Sequence, residues 1–548
     1  MSATRAAQPD GDDLTPVFVG LDFGTTFSGL SYVVGDVSQP ATTLKWSEEY
    51  RLKFPSKVAC SDGNTLCGIM IPPGGKSIQW FKLSLLHRDD LDIGIRQSSL
   101  FLEYEAFREG LGLRAEEVAE HLFRYMWKEF LGRFLPAHRN ATHKYFLTIA
   151  VPARWPRYAM QRIREAISAS GVKEELGAAC VFVSEPEATI LASINQQVTV
   201  LGASASPGMI LDLQVDDIVL VCDCGGGTVD IGGYEMSSLD PPVMNECIPG
   251  ACKFNGALKL DDRFIALLES KINGVRTHGR FKHRKNEHFH EFAQRTWYSD
   301  MKINFGKGQT SWFYEVPPTW LPTAARNNPP QIEFTIQELT TVFEPVMNIA
   351  QLVEEQIRCI HEKMGRAPKF VLVSGGFGLN RYLRQAISER VQLVSNVLER
   401  QIQTVTCSYR LGGAAQYCAL RYSSDPSLEA SATRVDGHVV RASYGIQPRS
   451  GATPSWFVRE GETLSRTRRP RLNLDPTVFK ITRKKTDGTA ILELEICLRK
   501  QDARTKPCLR LEWNSGVDVG AFVPGSPGIQ LEPRYDGFQM GVSIIYKR

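Results

Sequence analysis

The sequence predicts an α/β body of two pseudo-equivalent lobes, residues 16–422, followed by an all-β, sandwich-like domain, residues 441–548. Three observations predict it. Stretches of period two alternate with stretches of helical period up to about Tyr422, as in an α/β fold. One strand–Asp–glycine–strand pattern occurs twice, around Asp22 and Asp223, 201 residues apart. The last hundred residues alternate strictly, as half-buried antiparallel strands do.

Taken in order, residues 1–15 have no apolar core and are expected to be a flexible tail rather than a secretory leader. "PVFVGLDFGTTFSGLSYVV" (16–34) reads as strand, tight turn, strand; Val17, Val19 and Leu21 alternate before the turn, and Leu30, Tyr32 and Val34 after it. Residues 118–135 have helical spacing, and 144–155 form a buried strand closed by Pro152. A helix over 156–171 opens with Pro156 and closes with Gly171. Residues 180–194 give a strand and then a helix, with Pro186 suited to its first turn. The polar stretch 253–330 mixes helix and loop, and 335–365 is helical with a bend or break near Pro345. Residues 369–391 run strand, glycine turn, helix, and 423–440 reads as a linker. In "ILELEICLR" (491–499), Leu492, Leu494, Ile496 and Leu498 share one face; 509–513 and 538–547 repeat the pattern.

Of 548 residues, 43% are apolar and 23% charged, which excludes a disordered chain. The net charge is only +4, but residues 441–548 hold 19 Lys/Arg against 11 Asp/Glu. The tail is therefore +8 and the remainder −4, a balance that does not call for nucleic acid as a partner. The 12 cysteines contain no CxxC pair and read as reduced core thiols, so a cytoplasmic location is expected, with a nuclear one compatible. No apolar run reaches membrane-spanning length. The histidines at 278, 283, 288 and 290 are interleaved with Lys and Arg and read as a solvated face, not a zinc site.

The chemistry concentrates at two stretches, "VGLDFGTTFSGL" (19–30) and "VCDCGGGTVDIG" (221–232). Neither is a P-loop: no GxxxxGK[ST] occurs, and a strand rather than a helix follows the glycines. Glycines let successive backbone N–H groups point at one anion, and Thr25, Thr26 and Thr228 add hydroxyl donors. Two such hairpins, one per lobe, could grip a polyphosphate from both sides. An acid ending a buried strand is costly unless its charge is balanced. Asp22 and Asp223 make sense facing a hydrated Mg²⁺, which keeps much of its water, with Asp230 close by. A third stretch, "VLVSGGFGLNRYLRQAI" (371–387), could admit a flat nucleoside at Gly375 and Gly376.

"GLDFGTT", "VCDCGGGTVDIG" and "VLVSGGFGLNRYL" resemble the two phosphate motifs and the adenosine motif of the actin-like (ribonuclease H-like) ATPase superfamily. "FLTIAVPARW…IREAI…VFVSEPEATIL" is similar to the connecting segment of the seventy-kilodalton heat-shock chaperones, in particular their divergent, lid-less branch. The resemblance covers most of 16–422. It implies ATP or ADP with Mg²⁺ as cofactors, Asp22 and Asp223 holding the metal through water, and Asp230 and Glu185 supporting the metal and the attacking water. It places Thr25 and Thr228 at the terminal phosphate, with Gly24, Thr26, Phe27, Gly225, Gly226 and Gly227 forming the phosphate hairpins. Lys302, Gly375, Gly376 and Phe377 would line the adenosine pocket, and Pro152 would relay between nucleotide and tail. Peptide or unfolded protein clients are the implied partners, with co-chaperones or exchange factors beside them.

Three departures qualify what the resemblance implies. Where the family carries a catalytic lysine a few residues past the glycine matching Gly68, this chain has "CGIMIPPGGK"; Lys76 is the nearest substitute. Loss of that cation predicts weak hydrolysis. The adenine-side segment 294–306 offers only Lys302, and 423–443 lacks the family's leucine-rich linker. The chain ends soon after its last strand, so no lid is expected to trap a client. The alternatives are a nucleotide-sensing adaptor with little turnover and a small-molecule kinase on the same scaffold.

Overall fold

A computed structural model describes residues 14–439, with breaks at 36–39, 48–51, 62–63, 73–74, 140, 178–179, 202–210, 277–286, 318–319, 321–328, 408–410 and 423–431, and then strands and residues 461–462 between 443 and 546. The tail expected over 1–15 lies outside these residues except for Leu14 and Thr15, and Thr15 already opens the first strand. His278, His283 and the strand expected over 509–513 lie outside them as well.

The protein is mixed α/β, and its two larger sheets repeat one strand order. In the first, Thr42–Thr43, Phe27–Val34, Thr15–Asp22, His143–Val151 and Val181–Ser184 lie side by side. In the second, Pro242–Glu246, Val229–Leu239, Ile218–Cys224, Phe370–Ser374 and Gln403–Thr406 occupy the same places. Each begins as an antiparallel hairpin, because a few residues suffice to turn the chain back. Each then adds two parallel strands, reached through long helical crossovers. Helix Ala115–Ala137 precedes the first of these in one sheet and helix Pro345–Met364 in the other.

The helices bury the faces their spacing predicts: Val118, Leu122, Met126 and Phe130 in one, Val346, Ile349, Val353, Ile357 and Ile360 in the other. The break near Pro345 is present. One helix ends at Val342, and the next starts with Pro345 in its first turn, where a missing N–H costs nothing. Helices Glu185–Leu201 and Leu411–Tyr422 pack on each other at the junction of the two sheets. The former touches the second sheet's hairpin and the latter the first sheet.

Two regions differ from expectation. Within the polar stretch 253–330, Ser311–Glu315 is a strand paired antiparallel with Gln331–Thr335; Trp312, Ile332 and Phe334 are its buried face. Within the stretch expected as a linker, Arg434–Val439 is a strand that pairs in parallel with Pro242–Glu246. The Val439 amide donates to Glu246 Oε2 at 2.8 Å, and His438 Nε2 lies 3.4 Å from Glu187 Oε1. Both carboxylates are buried.

Farther on, Ser455–Val458, Ser443–Pro448, Phe479–Lys484 and Ala490–Ile496 form an antiparallel four-stranded sheet. Leu472–Leu474, Ile529–Tyr535, Met540–Tyr546 and Val517–Val519 form another, whose last pairing is parallel. Among the described residues, no helix is long and apolar enough to cross a membrane.

Candidate functional site

The first hairpin pairs Leu21 with Leu30 and Asp22 with Gly29, so the strand ends on the acid as it enters the turn. A short strand, Phe54–Pro55, is laced onto the hairpin's tip at Phe27 and Ser28. The Ser56 hydroxyl donates to the Gly24 carbonyl and the Ser56 amide to the Thr26 carbonyl, both at 2.8 Å. The Ser28 and Ser56 hydroxyls lie 2.9 Å apart.

The second hairpin places Asp223 directly opposite Asp230. Its glycine turn is held from behind by residues entering the helix Leu258–Arg276. The Leu258 amide donates to the Gly226 carbonyl at 2.9 Å, and those of Ala257 and Gly256 to Gly225 and Gly227 at 3.2 and 3.3 Å.

The tips of the two hairpins meet. A Cβ added to Gly226 would fall 2.3 Å from Thr26 Oγ1, and one on Gly227 would fall 2.5 Å from Thr25 Oγ1. Only glycine allows this approach. Asp22, Thr25, Thr26, Asp223, Thr228 and Asp230 therefore gather at one junction, from segments about 200 residues apart in sequence. Gly375 joins them. Ser374 is in register with Asp223, Gly375 has φ +90°, and a Cβ there would fall 2.1 Å from the Cys224 carbonyl oxygen and 2.7 Å from Asp223 Oδ1. Gly376, one residue on, borders open space. Phe377 is buried in the core, so its ring serves packing.

Lys302 is tied to the start of the helix Arg381–Leu398 that follows Gly375 and Gly376. Its Nζ donates to Asp261 Oδ1 at 2.5 Å, the Trp297 indole N–H donates to the same oxygen at 2.7 Å, and Asn380 Nδ2 donates to the Lys302 carbonyl at 2.8 Å. Burial pushes the Asp261 carboxyl up, against the pull of Lys302 and Trp297.

Glu185 sits at the start of its helix, buried, and accepts from Lys82 Nζ at 2.9 Å. Lys82 is only 2% exposed, its ammonium 5.1 Å from the Trp155 ring centre and 5.6 Å from that of Phe23. Asp230 Oδ1 accepts from the amide of Ala153, the residue after Pro152, at 2.7 Å. Burial, then the negative Glu185, push the Asp230 carboxyl up to about 8, while the Ala153 amide and the Thr228 hydroxyl oppose the rise. Cys252, opposite Asp230 in the next strand, has its thiol pushed up by burial and by that carboxyl.

Sequence reasoning missed Lys82, Lys53 and Asp261. Lys76, the nearest substitute in sequence, is exposed, as most such lysines are. The signal for Lys82 was present in "SIQWFKLSLL": a lysine inside an apolar run must pair or reach water. Lys53, just before the laced strand, donates to Asp22 Oδ2. Among the described residues, no three His, Cys, Asp or Glu side chains converge closely enough to hold a metal directly. Asp22 and Asp223, one buried behind each turn, are the acids that would hold a metal through water.

No protein-family model matches the chain, and no curated protein matches it.

Proposed function

We propose that the junction of the two hairpins binds ATP or ADP, and that the nucleotide governs binding of peptide or unfolded clients by the β-rich tail. One observation carries this reading: Gly226 and Gly227 abut Thr26 and Thr25, so two anion-binding turns flank one point, with a buried acid behind each. The repeated strand order supports two actin-like lobes hinged around that point. Gly375, Gly376 and Lys302 lie on the side where a nucleoside would rest.

In this arrangement the Thr25 hydroxyl donates to the terminal phosphate, and the Thr228 hydroxyl, whose single O–H otherwise goes to the Asp230 carboxyl, turns from it to do the same. Lys82, anchored by Glu185, supplies a fixed positive charge at the base of the first hairpin. Mg²⁺, when bound through water at Asp22 and Asp223, supplies further charge neutralisation at the phosphates. Burial and the nearby Glu185 push the Asp230 carboxyl up, so it holds a proton more readily than an ordinary aspartate. With no lysine at the position the resemblance requires, turnover is weak, as in a protein that reads nucleotide more than it consumes it.

Calorimetry of ATP and ADP binding, followed by turnover on the same sample, tests the proposal. Binding to the wild-type chain that weakens in Gly226→Val, which wedges the two tips apart, supports it; failure of both nucleotides to bind the wild-type chain overturns it.

A further inference from the structure

Lys53 is not an ordinary surface lysine. The next two residues form the strand laced onto the first hairpin, and Ser56 ties that strand to the Gly24 and Thr26 carbonyls. Its backbone is thereby fixed beside the phosphate turn. Its side chain, 29% exposed, reaches a carboxylate that is 7% exposed at the end of a buried strand. That carboxylate is Asp22, one of the two acids that would face a hydrated metal.

The charges at this end of the cleft are thus largely balanced within the chain. Asp22 has the ammonium of Lys53, and Glu185 has that of Lys82. A divalent ion is drawn to a phosphate site by excess acid charge, and here much of that excess is already met. A lysine on a flexible four-carbon stem can remain against Asp22 and also donate to a phosphate oxygen, since its ammonium has three N–H groups.

Resting on the nucleotide reading above, we infer that Lys53 takes the place of the divalent cation in binding: its ammonium bridges Asp22 and the phosphates, and the cleft holds ATP without a metal. The inference concerns affinity and involves no chemical step. It distinguishes this cleft from one in which Asp22 contributes only through metal-bound water.

The test is ATP calorimetry on the full chain in excess EDTA and again in magnesium, for wild type, Lys53→Met and Lys53→Arg. Wild type is expected to bind ATP with affinities within about threefold in the two buffers. Lys53→Met is expected to bind at least about tenfold more weakly in EDTA than in magnesium, and Lys53→Arg to remain indifferent to the metal. The inference is overturned if wild type binds only with magnesium, a result that needs no variant. It is also overturned if Lys53→Met is as indifferent to the metal as wild type. If wild type binds ATP in neither buffer, the nucleotide reading itself falls, and this inference with it.

Discussion

The two glycine hairpins share strand order, register and a terminal aspartate, yet they are opposite in electrical character. In the first, Asp22 faces Gly29 across the ladder and is met by Lys53, with Lys82 lying close to the ring of Phe23. In the second, Asp223 faces another acid, Asp230, and the turn's glycine carbonyls are satisfied from behind by backbone amides. One jaw sets a lysine against its acid, and the other sets two acids face to face. A repeated backbone motif thus builds a symmetric frame, while the segments packed behind each copy decide its chemistry.

The largest test of this contrast is Lys82→Met. It leaves Glu185 buried without its cation and should cost about 3–5 kcal/mol of stability by urea denaturation. The double variant Lys82→Met/Glu185→Gln should recover most of it. Lys53→Met leaves a carboxylate as buried as that of Glu185 without this cation, but the lysine it removes is 29% exposed and water can take its place, so the cost should be smaller, about 1–3 kcal/mol. Equal losses from the two lysines would erase the distinction between a structural and a ligand-directed cation.

Next comes Gly226→Val. Overpacking against Thr26 costs about 1–3 kcal/mol of stability, and because the tips must part to admit the valine, ATP affinity should fall by about tenfold or more. An unchanged affinity in calorimetry would mean that the tips need not meet.

Asp230 offers a pH test of the acidic jaw. Its carboxyl titrates near 8 when folded, against an ordinary value of 3.8. Between these values the folded chain holds a proton that the unfolded chain has lost. This contribution to stability is full below the lower value and declines by up to about 1.4 kcal/mol per pH unit until the higher one is passed. Urea denaturation at pH 5, 6 and 7 in EDTA should show a decline that Asp230→Asn removes; identical slopes would break the assignment. The smallest effect belongs to Ser56→Ala, which removes the hydroxyl's bond to the Gly24 carbonyl and should cost about 1 kcal/mol in the same assay.

Much of the frame was legible in the sequence, because period-two strands ending in Asp and glycine announce themselves locally. Both hairpins, the Glu185 helix and the break at Pro345 follow from such signals. The cations were not legible, because a side chain's partner is set by tertiary packing. Lys82 finds Glu185 across 103 residues, and Lys302 finds Asp261 across 41. The strand pair 311–315 and 331–335 was hidden by the Pro- and Asn-rich stretch between its halves. Strand 434–439 was hidden by its own polarity, since Arg434, Asp436 and His438 mask a pairing made mostly by backbone.

That last strand has a practical consequence for anyone wishing to cut the molecule in two. The polar stretch at 423–431 looks like the natural place for scissors. A cut there, however, strips an edge from the second sheet, robs Glu246 of the Val439 amide and parts His438 from Glu187. Because Arg434–Val439 also pairs with Thr463–Leu464, the severed front half would keep its edge only if it ran on past Leu464.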